Sequence, residues 1–541
     1  MILPAATMLR IAGLVCALLF GCTAASGQDT ANMTATSYRI AGVLVNASTG
    51  EPVRRGLVQV LNENGRALAS CITDNDGRFS LDHLAAAKFQ LTASKHGFRS
   101  QAYDEHDDFA SSIVTGPDQD TTHINFRLMP NAVLYGAVTD DNGDPVESAR
   151  VMLFKKPKFS GMGERTAQVD AAETDDTGGY EFGNVAPGEY LMAVAAEPWY
   201  AIHGSATERR NNALDVAYPV TYFDSTTDER AATPIELAGG VRQEANISLH
   251  AVPALHIALA TQQRPDGNLA AEGLHQIVFG NLVGGSSSFN YSAPSGMLMM
   301  DGVSPGHYQL DLHGDSERVL DVSLASSGQL DPGSGSAANA VDGTVRMAKG
   351  AGPPDQMTIS LERIDDGPGQ TQYATEAHQG RFRFDSVAPG EYAAWANAGE
   401  QSVPVITIGV GTAKQVGNVI TIRDRTPTVV LTLSDAETRL EGFAKKGGKG
   451  FAGAMMVLLP RNTAHWKALT RRDQSDSDGS FAFRDVAPGE YTAVGIEDGW
   501  ALNWTDPAAM ASYLPGGTNV TVTGNAGKVV RLGSPVLVEH R

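Results

Sequence analysis

The sequence predicts an all-β chain, a tandem array of about five small β-sandwich domains. Three observations carry this expectation. One motif recurs five times, four of the copies in the form Gly…Pro-Gly-x-Tyr. Alternating apolar residues flank each copy, the period-2 signature of half-buried strands. No long stretch of 3.6-residue periodicity follows the N-terminal segment. The chain has 541 residues, enough for several domains at roughly 100–200 residues each.

The motif is clearest in Gly178-Gly-Tyr-Glu-Phe-Gly-Asn-Val-Ala-Pro-Gly-Glu-Tyr190, Gly380-Arg-Phe-Arg-Phe-Asp-Ser-Val-Ala-Pro-Gly-Glu-Tyr392 and Gly479-Ser-Phe-Ala-Phe-Arg-Asp-Val-Ala-Pro-Gly-Glu-Tyr491. Looser copies run from Gly296 to Tyr308 and from Gly77 to Phe89. The motif prolines at 187, 305, 389 and 488 lie 118, 84 and 99 residues apart. That spacing is one small domain, too long for a solenoid repeat. An Asp-rich turn precedes the motif in Thr73-Asp-Asn-Asp-Gly77, Thr174-Asp-Asp-Thr-Gly178 and Ser475-Asp-Ser-Asp-Gly479. Asp and Asn favour such turns because their side chains bond nearby backbone groups. Pro-Gly then predicts a tight turn, with Gly supplying φ > 0. The two flanking strands form a hairpin or cross from one sheet to the other.

Each unit opens with a strand of its own, as in Ile40-Ala-Gly-Val-Leu-Val45 and Leu134-Tyr-Gly-Ala-Val-Thr139. Turn signals and composition divide the chain into sandwiches at 38–129, 130–253, 254–330, 337–425 and 426–541. The second carries a polar insertion at 201–229, the third is divergent, and 331–336 is a linker. Because neighbouring modules share only local contacts, the expectation is a curved or extended chain of sandwiches.

The N-terminus reads as a secretory signal over residues 1–27. Arg10 precedes an apolar run from Ile11 to Phe20 that is too short to span a bilayer. Leu19-Phe20-Gly21-Cys22 resembles a bacterial lipobox, which makes Cys22 the lipidation site. Cleavage after Ala25-Ser26-Gly27 is the alternative. Residues 28–37 form a flexible tether, and the membrane is reached only through the lipid anchor. The favoured location is the periplasm or outer membrane as a lipoprotein, with secretion as the alternative. Of three cysteines only Cys71 lies beyond the signal, so the mature chain has no intrachain disulfide.

Charge narrows the function classes. With 41 basic and 61 acidic side chains the net charge is −20. A surplus of carboxylates opposes nucleic-acid binding, which depends on basic patches.

Units one and two resemble the carboxypeptidase regulatory-like domain, a transthyretin-like β-sandwich. The resemblance rests on Gly50-Glu-Pro-Val53 and Asp76-Gly-Arg-Phe79 in unit one, and on Gly143-Asp-Pro-Val146 and Pro187-Gly-Glu-Tyr190 in unit two. Units three to five keep mainly the Gly…Pro-Gly-x-Tyr element. The resemblance implies a multi-repeat protein of the bacterial cell envelope, and its motifs are structural.

Catalytic patterns are missing. None of the 13 histidines is followed by Glu three residues later, and no Gly-x-Ser-x-Gly elbow occurs. The sequence offers no catalytic residue, metal ligand set or cofactor motif. Asp104-Glu-His-Asp-Asp108 reads as a solvated acidic surface, and the Asp-rich turns need no cation. The remaining signal is aromatic. Trp199 and Tyr200 follow the motif strand of unit two, and Trp500, Asn503 and Trp504 follow that of unit five. Aromatic faces beside polar side chains suit sugar rings. These aromatics could equally cap their own sandwiches or seal contacts between units. The expectation is a non-enzymatic envelope or secreted binding protein, with carbohydrate the preferred ligand class and a polysaccharide or envelope protein as partner. A structural spacer or protein-interaction scaffold is the alternative, and an unrecognised hydrolase the third reading.

Overall fold

The computed structural model describes residues 37–107, 109–156, 166–203, 213–260, 271–287, 290–292, 297–312, 318–332, 336–337, 339–348, 352–365, 372–399, 401–423, 428–434, 438–461, 466–504, 506–523 and 529–541. The signal segment, Cys22 and the tether up to residue 36 lie outside them, as do 333–335 of the linker, 204–212 of the insertion and Asp108. Among the described residues no helix is long and apolar enough to cross a membrane.

Among the described residues five β-sandwiches follow one another, and one wiring rule serves all of them. The first strand of each unit lies between the motif strand, antiparallel, and the last strand, parallel. In the first unit Tyr38–Asn46 pairs with Arg78–Leu84 and Ile124–Leu128. In the fourth, Asn339–Met347 pairs with Arg381–Val387 and Val429–Leu433. The second strand of each unit lies in the other sheet, between the third strand and the strand after the Pro-Gly. Leu57–Leu61 thus sits between Ala67–Ile72 and Lys88–Ser94, and Met455–Pro460 between Arg471–Gln474 and Gly489–Glu497. The Pro-Gly element therefore carries the chain from one sheet to the other. The apolar faces of both sheets meet in a core of buried side chains, such as Ile40, Leu44, Val58, Leu91 and Phe126 in the first unit.

The motif residues explain themselves in this frame. Thr73 Oγ1 donates to Val53 O at 2.6 Å and accepts from Gly56 N at 2.8 Å. Thr174 repeats this with Val146 O and Ala149 N, and Ser475 with Phe451 O and Ala454 N. One buried hydroxyl thus pins the loop after the first strand in three units. The next residue caps the turn: Asp74 Oδ1 accepts from the amides of Asp76 and Arg78, and Asp175 Oδ1 from those of Thr177 and Gly179. The motif tyrosines bond back to the carbonyl four residues upstream, as in a tyrosine corner. Tyr190, Tyr308, Tyr392 and Tyr491 do so at 2.6, 2.7, 2.7 and 2.8 Å. Phe89 has no hydroxyl, and there Thr115 Oγ1 reaches the equivalent Ala85 O at 2.6 Å.

Two expectations change. Gly306, Gly390 and Gly489 of the Pro-Gly elements do not adopt positive φ, and Gly188 stands at +157°. The tyrosine ring folds over the glycine instead, so a Cβ at Gly306 or Gly489 would lie 3.2 Å from it. The polar insertion of unit two also belongs in part to the core. Tyr218, Val220 and Tyr222 are buried, and Thr221–Tyr222 pairs with Gly188–Ala195.

Close approach of backbone selects another glycine, on the first strand. Gly42, Gly136, Gly343 and Gly442 stand opposite Phe79, Tyr180, Phe382 and Phe481. A Cβ on Gly136 would lie 2.0 Å from Ala245 O, and one on Gly343 1.9 Å from the Phe382 ring. In the divergent third unit the pair is Leu259 opposite Leu298.

The second and third units dock through the outer faces of their sheets. Met152, Phe154, Val220 and Tyr222 of the second sandwich pack against Val278 and Val283 of the third. Beside this patch His256 is clamped between two carboxylates, Nε2 to Asp215 at 2.8 Å and Nδ1 to Asp301 at 2.6 Å. His203 approaches Asp215 at 3.2 Å.

The open chain of sandwiches is not what the structure contains. The fifth sandwich packs directly on the first, so the two ends of the array meet. Contacts are therefore not restricted to neighbours in sequence, because both units carry surfaces shaped for each other.

Candidate interaction site between the first and fifth sandwiches

The site starts from a loop of the first unit, Tyr103 to Thr115. Asp104 and Asp107 take left-handed conformations, which Asp tolerates better than most residues. The backbones of His106 and Phe109 bond to each other in both directions, at 2.7 and 3.0 Å. This tight turn projects His106 and Phe109 outward. The facing surface of the fifth unit is its edge strand Arg471–Gln474 and the Asp-rich turn after it. Beside them lie a 3-10 turn, Gly499–Ala501, and a short helix, Pro507–Met510, capped by Asp506 Oδ1 accepting from Ala508 N. These bury Trp500, Trp504 and Met510 against Met455, Val457 and Ile496.

Arg472 is the centre. Its guanidinium lies 4.8 Å from the Phe109 ring, 5.5 Å from Trp500 and 4.6 Å from Trp504. The same group donates to Asp107 Oδ2 at 3.0 Å. His106 stacks on Trp500 with ring centroids 4.9 Å apart and planes 7° from parallel. Gln474 Nε2 donates to Asp104 O at 2.6 Å and to Ser111 Oγ at 2.9 Å, and its Oε1 lies 3.1 Å from His106 Nδ1. Below it the backbones interlock. Ser112 N donates to Asp476 Oδ1 at 2.8 Å, Val114 N to Ser477 Oγ at 2.8 Å, and Ser477 N to Ser112 O at 3.0 Å. Lys88 Nζ also pairs with Asp476. Asp476 is the counterpart of Asp74 and Asp175, yet its Oδ1 accepts from Ser112 N of the first unit, while its Oδ2 pairs with Lys88 and accepts from the Ser480 hydroxyl of its own turn at 3.2 Å.

Electrostatics follow burial. Burial pushes the Asp473 carboxyl up to about 6, against the amides of Ala482 and Gln474, which favour its charged form. Burial also raises the Asp104 carboxyl, with His106 and the Ser111 hydroxyl opposing. The ionisable groups of the junction bond across it, Asp107 to Arg472 and Asp476 to Ser112 N.

Trp500 and Trp504, expected as open stacking faces, are each only 6% exposed. They are occupied by Arg472, His106 and Phe109, which corrects that expectation. Asn503 is half-buried beside them. Trp199 is 92% exposed, with Tyr200 edge-on at 5.8 Å and 87°. The five residues therefore do not form one site. The acidic run is not merely a solvated face either: Asp104, His106 and Asp107 meet the fifth unit, while Glu105 accepts from Arg99 and from Ala102 N. Among the described residues no three His, Cys, Asp or Glu side chains are grouped to hold a metal. Arg472, Gln474 and Phe109 lie outside the recurring motif, and Lys88 fills its variable place in the first copy. Their roles depend on partners more than 350 positions away in sequence.

No curated protein matches the chain. Among solved structures it is similar to GBS52, the minor pilin of Streptococcus agalactiae, at 13% identity over 40% of this chain and 97% of that one, TM-score 0.22. The Bacillus anthracis TIE protein is similar at 10% identity over 93% of this chain and 68% of that one, TM-score 0.15. BcpA, the major pilin subunit of Bacillus cereus, is similar at 11% identity over 76% of this chain and 99% of that one, TM-score 0.13. Residues 39–129 match the family model of the carboxypeptidase regulatory-like domain, so the resemblance read from Gly50-Glu-Pro-Val53 and Asp76-Gly-Arg-Phe79 holds for the first sandwich.

Proposed function

We propose that this chain is a non-enzymatic, exported interaction protein of the cell envelope, whose sandwiches form a scaffold held at both ends. The observation that carries the reading is how the polar motif groups are employed. The hydroxyls of Thr73, Thr174 and Ser475, the motif tyrosines, Asp74 and Asp175 all bond backbone within their own sandwich. Asp476 and Arg472 bond between sandwiches. Residues recurring in this way serve architecture. In vivo cross-linking of the envelope tests the scaffold reading: recovery of a defined protein partner supports it, and cross-links to no other protein oppose it.

A carbohydrate ligand is the finer reading, and the exposure of Trp199 favours it. A large indole left almost wholly in solvent next to a tyrosine ring offers a face on which a sugar could stack. Polysaccharide pull-down with Trp199→Ala and Tyr200→Ala tests it. Retention by the parent chain and loss in both variants supports the reading. Equal retention removes these residues from it. Anchoring through Cys22 is tested by the mass of the mature N-terminus, where a diacylglyceryl adduct on Cys22 identifies the lipoprotein.

A further inference from the structure

We propose that the outer face of the fourth sandwich's second sheet binds an uncharged polysaccharide chain, with the Trp395 indole as its stacking platform. The site extends the saccharide reading to a different surface, and either site can fail without the other.

Three strands build the face. Gln356–Arg363 lies between Gln372–His378 and Gly390–Ala398. Ile359, Leu361, Tyr373, Tyr392 and Ala394 point into the core. Side chains alternate along a strand, so Ser360, Glu362, Ala374, Ala393 and Trp395 turn outward. The register sets Trp395 opposite Ser360, and Ala393 opposite Glu362. Trp395 Nε1 donates to Glu362 Oε2 at 3.2 Å, its diagonal neighbour on the next strand. That bond draws the indole along the sheet over Ser360 and Ala393, which are 9% and 7% exposed although both face outward. One ring face therefore rests on small side chains and the other meets solvent, in agreement with a 40% exposure of Trp395.

The equivalent face of two other sandwiches shows what this surface carries when protein covers it. Counted from the motif tyrosine, Trp395 corresponds to Ala193 in the second unit and Val494 in the fifth. Ser360 and Glu362 correspond to Met152 and Phe154, and to Val457 and Leu459. Those faces are apolar and buried. The second packs on the third sandwich, and the fifth packs against Trp500 and Trp504. In the fourth unit the two places on the neighbouring strand hold a hydroxyl and a carboxylate. Val419, beyond Ala393, is itself buried. An apolar protein surface seated here would strip water from the Glu362 carboxylate. A saccharide brings hydroxyls to Glu362 and Asn397, and a C–H face to the indole.

Charge narrows the glycan. Glu362 and Glu376 share the face, and His378 pairs with Glu376 at 3.3 Å. These carboxylates, on a chain of net charge −20, repel a polymer of uronates or phosphates.

Native affinity electrophoresis tests the proposal, in gels containing mixed-linkage β-glucan, xyloglucan, galactomannan or pullulan, with alginate as the anionic control. The full chain carrying Trp199→Ala serves as the reference, which removes the other candidate platform. Trp395→Ala and Ala374→Arg are added to it separately. Ala374 is exposed and faces Ser360, so arginine there offers the indole a guanidinium, as Arg472 does for Trp500, and leaves the core alone. The reference chain is expected to be retarded by at least one uncharged polymer and not by alginate. Each added substitution should weaken that affinity about tenfold or more with an unchanged circular dichroism spectrum. If Trp395→Ala fails to fold, Ala374→Arg decides. Retardation of the natural chain that vanishes in the reference overturns this site and supports Trp199. A reference chain that no uncharged polymer retards overturns the proposal, including the case in which a protein covers the face. So do alginate retardation as strong as that by the uncharged polymers, and equal retardation after either added substitution in a folded chain.

Discussion

Replacing Arg472 with alanine should open the contact between the first and fifth sandwiches while leaving both folded. The side chain is 9% exposed and holds three rings and one carboxylate. A cation over an aromatic face contributes at least about 0.5–1 kcal/mol, the value at exposed sites. The ion pair with Asp107, whose carboxylate is 33% exposed, is discounted for solvent screening to about 1 kcal/mol. Together these give about 3 kcal/mol, or roughly a hundredfold increase in the open population. Hydrogen exchange reads this directly. The amides of Ser112, Val114 and Ser477 donate across the junction, so in the parent chain they exchange only when it opens. In Arg472→Ala their exchange should quicken about a hundredfold, while amides of the core residues Val58 and Leu91 stay as slow as before. Equal exchange at the three junction amides in parent and variant would refute the assignment of Arg472 as the centre of the contact.

Other outcomes follow from the same geometry. Tyr392→Phe and Tyr491→Phe each leave a carbonyl without its buried hydroxyl partner and should lower stability by about 1 kcal/mol in denaturant unfolding. Thr115→Val should cost a similar amount in the first sandwich, where it substitutes for that tyrosine. Gly136→Ala forces a Cβ onto Ala245 O and should cost about 3 kcal/mol or more, read as a lowered thermal midpoint. The contact of the second and third sandwiches should weaken as pH rises. Burial lowers the His256 pKa, but hydrogen bonds and charges of Asp301 and Asp215 more than offset this and raise it above the ordinary imidazole value of about 6.5. Only the imidazolium has an N–H for both carboxylates. That contribution is complete below pH 6.5 and is lost as pH climbs through the raised value. His256→Gln should flatten this pH dependence of thermal stability.

Much of the fold was legible because its signals are local. Period-2 alternation, Asp-rich turns and the spacing of Pro187, Pro305, Pro389 and Pro488 depend on residues close in sequence. The sequence does not separate a hairpin from a crossover at Pro-Gly, since the two share the same alternation. The glycine conformation differs because these glycines lie beside packed side chains, the Tyr308 and Tyr491 rings at Gly306 and Gly489 and Arg363 at Gly390, and not in a turn that needs positive φ. The junction was illegible for a different reason. Arg472 and Asp476 look like ordinary strand and turn residues, and only the approach of a loop from the other end of the chain gives them work. Trp500 and Trp504 were visible as aromatics near loops, yet sequence does not reveal whether such a face is open or covered. Asp476 left one trace: it occupies the place where Asp74 and Asp175 cap their own turns.

Closure of the array is tested most directly by a disulfide between Ser112→Cys and Ser477→Cys. Their backbones share a 3.0 Å hydrogen bond, which brings the two chains within the range that disulfide geometry accepts. Mild oxidation of the double variant should give an intrachain bridge, detected by peptide mass and by faster migration on a non-reducing gel. Free thiols at both introduced positions in a chain that is otherwise folded would mean that the first and fifth sandwiches do not meet.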